Sequence, residues 1–255
     1  MLKVGIVGAG IGGLSAGLML GSIGCKVTIF EKLSQNSPNG VGIQISANGI
    51  RVLRKFGLED KIAQLGDLPE SIDCFRGRTG QKLAKIPLGK MAIKLYKAGF
   101  YQIHRGDLIS LLKRENIRLG VKIYYGNPVL NIHQSDSRVV VKTKKCNSHF
   151  DLLIAADGIN SIVRKLIFKD KAPTFLNQVA YRSVIPKNLL PNFFAAKKTR
   201  LFFGSGKHVV SYPIRKGSLV NFVFCSDLSS FCKESWDVNC EPSEIKDHFS
   251  EFVQL

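Results

Sequence analysis

The chain has 255 residues, enough for one large core or two smaller ones, and its 45% hydrophobic and 22% charged residues are the balance of a globular protein. A net charge of +18 is unusual and uneven, with no Asp or Glu in 74–106 or 171–226. No nucleic-acid motif accompanies it, which leaves a lysine-rich solvated surface, an anionic substrate or a negatively charged membrane as its readings.

Residues 2–31 predict a β-α-β unit. An apolar strand runs into Gly8-Ala9-Gly10-Ile11-Gly12-Gly13, a helix follows, and a second apolar strand ends at Glu31. Gly8 permits the tight turn, Gly10 lets the backbone approach a pyrophosphate, and Gly13 lets helix and strand pack closely. The helix N-terminus offers unpaired N–H groups and a partial positive charge to phosphates. Glu31 lies where an acid accepts hydrogen bonds from an adenosine ribose, which favours FAD or NAD over NADP. No signal-peptide pattern precedes the first strand, and the apolar window 11–23 is glycine-rich and too short to span a bilayer.

Further along, Ser46 reads as the N-cap of a helix over 47–56 that stops at Gly57, with a short helix over 58–65 after it. Strands are expected over 71–76 and 81–86 around a turn at 78–80, and over 101–104. Asp107 then caps a helix to 119 whose one face carries Leu108, Leu111 and Leu112. Strands follow over 121–125, 129–133, 139–143 and 151–156, then a helix over 161–168. After Pro173 strands dominate, over 178–185, 200–204, 208–213 and 219–225, which suits a sheet that roofs a pocket. A last helix from about Ser243 reads as amphipathic to the chain end through Ile245, Phe249, Phe252 and Val253. Six cysteines (Cys25, Cys74, Cys146, Cys225, Cys232, Cys240) form no C-x-x-C pair, which argues against a metal site or disulfide framework and for a reducing cytosol.

Four segments together resemble one family, the single-component FAD-dependent aromatic hydroxylases related to salicylate hydroxylase and p-hydroxybenzoate hydroxylase. They are the fingerprint through Glu31, the run Gly40-Val-Gly42-Ile-Gln44-Ile-Ser-Ala-Asn48, the run His104-Arg105-Gly106-Asp107-Leu108, and Asp151-Leu-Leu-Ile-Ala-Ala-Asp157-Gly158 with Ser161 and Arg164. A fifth stretch, Val179-Ala-Tyr181-Arg182 and 203–223, resembles the branch acting on salicylate, 3-hydroxybenzoate and 6-hydroxynicotinate.

The resemblance implies an α/β fold, with a Rossmann-like FAD-binding domain of the glutathione-reductase type and an antiparallel β-sheet substrate domain. The expected division is 1–70 with 100–172 for FAD, 71–99 with 173–240 for substrate, and 241–255 for the start of a C-terminal helix. FAD is the implied cofactor and NADH or NADPH the co-substrate. The implied partner is a small anionic aromatic ring, hydroxylated through a flavin C4a-hydroperoxide, and the implied location is the cytoplasm. Cofactor contacts are expected from Gly8, Ala9, Gly10, Ile11, Gly12, Gly13, Glu31, Lys32, Gly42, Arg105, Val129 and Asp157.

His208 and Tyr212 are the implied catalytic pair. On a strand, His208, Val210 and Tyr212 share a face. Imidazole titrates near neutrality and suits removal of a phenolic proton, which makes a ring more nucleophilic, while Tyr212 orients the ring or relays the proton. Three rivals stay open: a ubiquinone-pathway hydroxylase at the membrane, a non-catalytic flavin-binding remnant, and an NAD-dependent dehydrogenase. The family's later Gly-Asp-Ala-Ala-His motif is absent from this sequence, so weak FAD binding and impaired catalysis are expected of the chain.

Overall fold

The computed structural model describes residues 1–34, 40–168, 173–228 and 240–253. The chain begins with β1 (Lys3–Val7), α1 (Ile11–Ser22), β2 (Lys26–Phe30), β3 (Gly42–Ile45), α2 (Ala47–Arg54) and α3 (Glu59–Leu65). It continues through β4 (Ser71–Arg76), β5 (Lys82–Pro87), α4 (Gly89–Tyr96), β6 (Tyr101–His104), α5 (Arg105–Arg118) and β7 (Lys122–Tyr124). Next come β8 (Val129–Gln134), β9 (Val139–Thr143), β10 (Asn147–Phe150), β11 (Leu152–Ala155) and α6 (Ile162–Phe168). The described part ends with β12 (Gln178–Pro186), two short 3-10 turns, β13 (Thr199–Gly204), β14 (Lys207–Ile214), β15 (Leu219–Asp227) and α7 (Pro242–His248).

Two compact units result, Met1–Asn39 with Gly106–Thr174, and Gly40–Arg105 with Phe175–Leu255. Residues 40–70 and 100–105, grouped by sequence with the first domain, cluster in space with the second unit. The first unit holds a four-stranded parallel sheet in the order β11-β1-β2-β7. Its central strands bury an apolar run, with Val4, Ile6 and Ile29 inaccessible, as parallel sheets covered on both faces require. Asn116 on α5 ties α5 to α1, its Nδ2 donating to the Leu14 and Leu112 carbonyls at 2.8 Å each. The antiparallel sheet β10-β9-β8 closes a second core of Val7, Phe30, Ile132, Val141 and Phe150.

The second unit is built on a six-stranded sheet, β12-β15-β14-β13-β4-β5, and a two-stranded pair, β3 and β6. The expected antiparallel sheet is corrected at one point: β13 runs parallel to β4, from Thr199 opposite Ile72 to Phe203 opposite Arg76. Adjacent hairpins in sequence cannot reveal this pairing, because it joins strands more than a hundred residues apart. One sheet face is the core, where Phe75 stacks on Phe202 and both pack with Val209, Phe222, Phe249 and Phe252.

Other expectations also change. Helix α5 starts at Arg105, so Asp107 sits in its first turn and is not its cap. The Ser46 hydroxyl bonds the Asn48 side chain and leaves the α2 amides uncapped. Helix α7 ends at His248, because Phe249 and Phe252 turn into the sheet core instead of extending an amphipathic face. Strands β3 and β10 and helix α4 had no counterpart in the sequence reading. Among the described residues, Cys25, Cys74, Cys146, Cys225 and Cys240 are free thiols. Cys232 and the stretch 229–239 of the expected substrate domain lie outside the described residues.

Candidate functional site

In the first unit the chain leaves β1 and turns at Gly8, φ +101°. A Cβ there would stand 2.4 Å from the Ala156 carbonyl oxygen, and one at Gly13 would stand 1.8 Å from the Gly8 carbonyl oxygen. Only glycine fits either position, so the start of α1 is drawn against the end of β1. Gly10 and Gly12 face open space, and a Cβ at either would have nothing within 4 Å. Helix α1, opening at Ile11 behind the Gly10 N-cap, has neither a side-chain cap nor an acid in its first turn. Its dipole therefore faces outward uncompensated, ready for an anion.

Beyond β2, the Glu31 carboxylate is held between two amides. The Ala9 N–H donates to Oε2 at 2.7 Å and the Leu33 N–H to Oε1 at 2.8 Å. A carboxylate has about four acceptor positions, so this one is fixed in place and still able to accept from ribose hydroxyls. Lys32 beside it is exposed. Tyr125 also lies near: burial and the Glu31 charge raise its phenol above the usual range. Sequence reasoning did not single out Tyr125, since nothing in its local pattern links it to residue 31.

Asp157 follows β11 and caps α6. Its Oδ1 accepts the Ser161 hydroxyl at 2.7 Å, and its Oδ2 accepts the Ile162 and Val163 amides at 2.7 and 3.2 Å. Its Cα would lie 3.0 Å from a Cβ on Gly8, so the cap flanks the glycine turn. A hollow of about 380 Å³ opens beside it, lined by Ala155, Asp157, Gly158, Ser161, Arg164 and Phe168. Val129 buries its side chain in the core with Phe30 and Phe150, and its backbone opens β8 opposite Thr143. The glycine cradle, the open helix end and the fixed acid fit the diphosphate and ribose of an adenine dinucleotide. The geometry places Gly8 to Gly13, Glu31 and Asp157 together in one unit, whereas Gly42 and Arg105 belong to the other.

In the second unit, register sorts the sheet into two faces. Val209 enters the aromatic core, so His208, Val210 and Tyr212 occupy the opposite face. Their partners on β15 are Cys225, Val223 and Asn221. On β12, Arg182 stands opposite Val223. Tyr181, its neighbour, turns the other way and donates from its hydroxyl to Glu244 Oε1 at 2.5 Å. The sheet thus presents one greasy side and one side that mixes aromatic, polar and cationic groups.

Gly42, at the start of β3, packs on this second face. Its N–H donates to Asn221 Oδ1 at 2.6 Å, and a Cβ would stand 2.7 Å from Tyr212 Cε2. Burial pushes the Tyr212 phenol up to about 12, with the Arg182 charge opposing. Arg105 is lowered by burial and, secondarily, by the Arg182 guanidinium. His208 lines a hollow of about 410 Å³ with Ala180, Phe203, Cys225 and neighbours. Asn221 and Arg182 were not singled out as site residues. Strand alternation in 178–185 and 219–225 carried the signal, but it becomes readable only once the register is known.

Residues 1–252 match the FAD binding domain family. A 3-amino-4-hydroxybenzoate 2-monooxygenase of Streptomyces cremeus is 32% identical over 87% of this chain and 56% of its own length. A 3-hydroxybenzoate 6-hydroxylase of Aquipseudomonas alcaligenes is 30% identical over 87% of this chain and 57% of its own. The crystal structure of CtdE in complex with FAD and a substrate superposes with a TM-score of 0.88 at 21% identity, over 99% of this chain and 63% of that one. The chain thus spans less than two thirds of the length of these proteins. It belongs to the FAD binding domain family, shares the flavoprotein monooxygenase fold, and has aromatic-ring monooxygenases as its relatives.

Proposed function

We propose that this chain binds FAD and serves the hydroxylation of a small aromatic acid, with NADH or NADPH as electron donor. The observation that carries the reading is the face of the six-stranded sheet opposite its aromatic core, where an imidazole, a phenol and a guanidinium share one side. Such a face suits a ring bearing both a hydroxyl and a carboxylate, the chemistry that the two relatives' names print. The glycine cradle and Glu31 would hold the cofactor's diphosphate and ribose. Bound FAD would supply oxygen activation and delivery of one oxygen atom to the ring.

The chain's own groups divide the remaining work. With its phenol pushed to about 12, Tyr212 keeps its proton throughout the neutral range and acts as a hydrogen-bond donor that orients the ring. This favours orientation over proton relay for Tyr212 and leaves His208 to take the ring's hydroxyl proton. Gly42, pinned by Asn221, keeps the chain close to Tyr212 and helps exclude water. The test is NADH or NADPH oxidation by the FAD-loaded chain with and without hydroxybenzoates. Acceleration with formation of a dihydroxylated acid, however slow, is expected, and equal rates without a hydroxylated product would contradict the reading.

A further inference from the structure

One edge of the six-stranded sheet leaves apolar and basic side chains together in solvent. Among the described residues β5 pairs with β4 alone, and all six of its residues are exposed, so neither of its faces is packed. Helix α4 follows at once and buries only Ala92. Large apolar side chains stand out along both elements: Leu83 and Ile86 are each 49% exposed, Met91 65%, Leu95 68% and Tyr96 54%. Met91 and Leu95 are four residues apart and form a stripe along α4. Lys90 and Lys94 form a second stripe directly beside it. Exposed apolar surface of this kind, rimmed by charge, marks an interaction site.

The charge on this edge has one sign. Residues 74–106 contain no Asp or Glu, while Lys82, Lys85, Lys90, Lys94 and Lys97 fall within sixteen residues. The Lys82 ammonium is held by Asp73 at 2.8 Å, and the other four lysines occupy exposed positions. A second copy of this chain docked face to face would set lysine against lysine, and an added strand would meet Lys82 and Lys85 on the edge. A purely acidic polypeptide would meet the lysines and leave Met91 and Leu95 in water. An anionic layer over hydrocarbon satisfies both sets. Lysine stems lie along its apolar part with their ammonium groups at phosphate level, and tyrosine favours the same boundary. Each lysine near such a surface adds about fivefold to partitioning.

We propose that β5 and α4 form a docking surface for anionic phospholipid membranes. Met91 and Leu95 enter the boundary between headgroups and acyl chains, and the lysines face the lipid phosphates. The contact is attachment to one leaflet, since α4 has eight residues and a span needs about 20. Exposure and charge carry the proposal, and it does not depend on the hydroxylase reading.

The test is co-sedimentation of the full chain with vesicles of equal parts phosphatidylcholine and phosphatidylserine, beside vesicles of phosphatidylcholine alone. Binding at least about tenfold stronger to the anionic vesicles is expected. A net charge of +18 would produce part of that difference by itself, so the variants decide. Met91→Ser with Leu95→Ser keeps the charge and should weaken binding about tenfold or more. Lys90→Ala with Lys94→Ala should weaken it by a similar factor. The exposed pair Lys144→Ala with Lys145→Ala removes the same charge from the other unit and should stay within about twofold of wild type. All six side chains are exposed, and an unchanged melting temperature separates loss of docking from loss of fold. Equal losses in the two lysine pairs would overturn the proposal in favour of diffuse attraction. Wild-type binding by the serine pair would overturn it too, as would failure of the wild-type chain to sediment with anionic vesicles. Tighter binding to polyglutamate than to vesicles, lost in the same variants, would assign the edge to an acidic protein instead.

Discussion

Tyr212 and His208 share a face of one strand, yet their surroundings give them different work. Burial holds the Tyr212 phenol at about 12, above the value near 10 of an unfolded tyrosine. The folded chain therefore keeps this proton where the unfolded chain releases it, and stability falls as pH rises from about 10 through 12. Below pH 10 the phenol is neutral in both states and costs nothing. Tyr212→Phe should flatten the decline of melting temperature over that window, and an identical decline in both proteins would show that the phenol is not the source. For His208, replacement by alanine should leave reduction of bound flavin by NAD(P)H intact while lowering hydroxylated product per NAD(P)H about tenfold or more. Undiminished product yield would remove the proton-acceptor assignment. At this scale the sequence was informative about residue type and poor about neighbours. The spacing of His208 and Tyr212 was readable, but the Arg182 and Asn221 beside them come from strands whose register no local pattern encodes.

Among the elements, β3 shows how a short strand sets a site. It pairs with β6, and its first residue presses on the six-stranded sheet, where the Gly42 amide meets Asn221 and a Cβ would collide with Tyr212. Gly42→Ala should cost about 1–3 kcal/mol, as overpacking does, and should shift the Tyr212 ring. Asn221→Ala should cost a similar amount, about 1–3 kcal/mol, by leaving a buried amide unsatisfied. Melting temperatures of the two variants check both figures, and wild-type stability in either would show that β3 is not seated on the sheet as described. Strand β3 escaped sequence reading because Gly40-Val-Gly42 looks like a loop, and β10 because Cys146-Asn147-Ser148 looks like a turn. Helix α1 was legible for the opposite reason: the close contact of Gly13 with the Gly8 carbonyl oxygen lies within six consecutive residues, whereas the Ala156 carbonyl against Gly8 comes from just past the end of β11.

Across the whole molecule, the two units differ in how local their defining contacts are. The β-α-β unit with its glycine turn depends on contacts within about 30 consecutive residues plus β11, and that fold emerged as expected from the fingerprint. The six-stranded sheet joins 71–87 to strands within 178–227, and its parallel β13 and β4 pair follows from chain topology that composition does not encode. The +18 charge finds part of its place here, since the acid-free stretch 171–226 supplies the strands of the proposed ligand face. Among the described residues no helix is long and apolar enough to cross a membrane, and no cluster of His, Cys, Asp and Glu is arranged to hold a metal.

The central claim is that the Gly8 to Gly13 turn and the fixed Glu31 carboxylate hold FAD. Titration of FAD into the purified chain, followed by flavin absorbance and fluorescence, tests it most directly. Saturable binding at one site per chain is expected, weakened about tenfold or more by Glu31→Ala through loss of the ribose hydrogen bonds. Flavin signals that never saturate, or an affinity indifferent to Glu31→Ala, would contradict it.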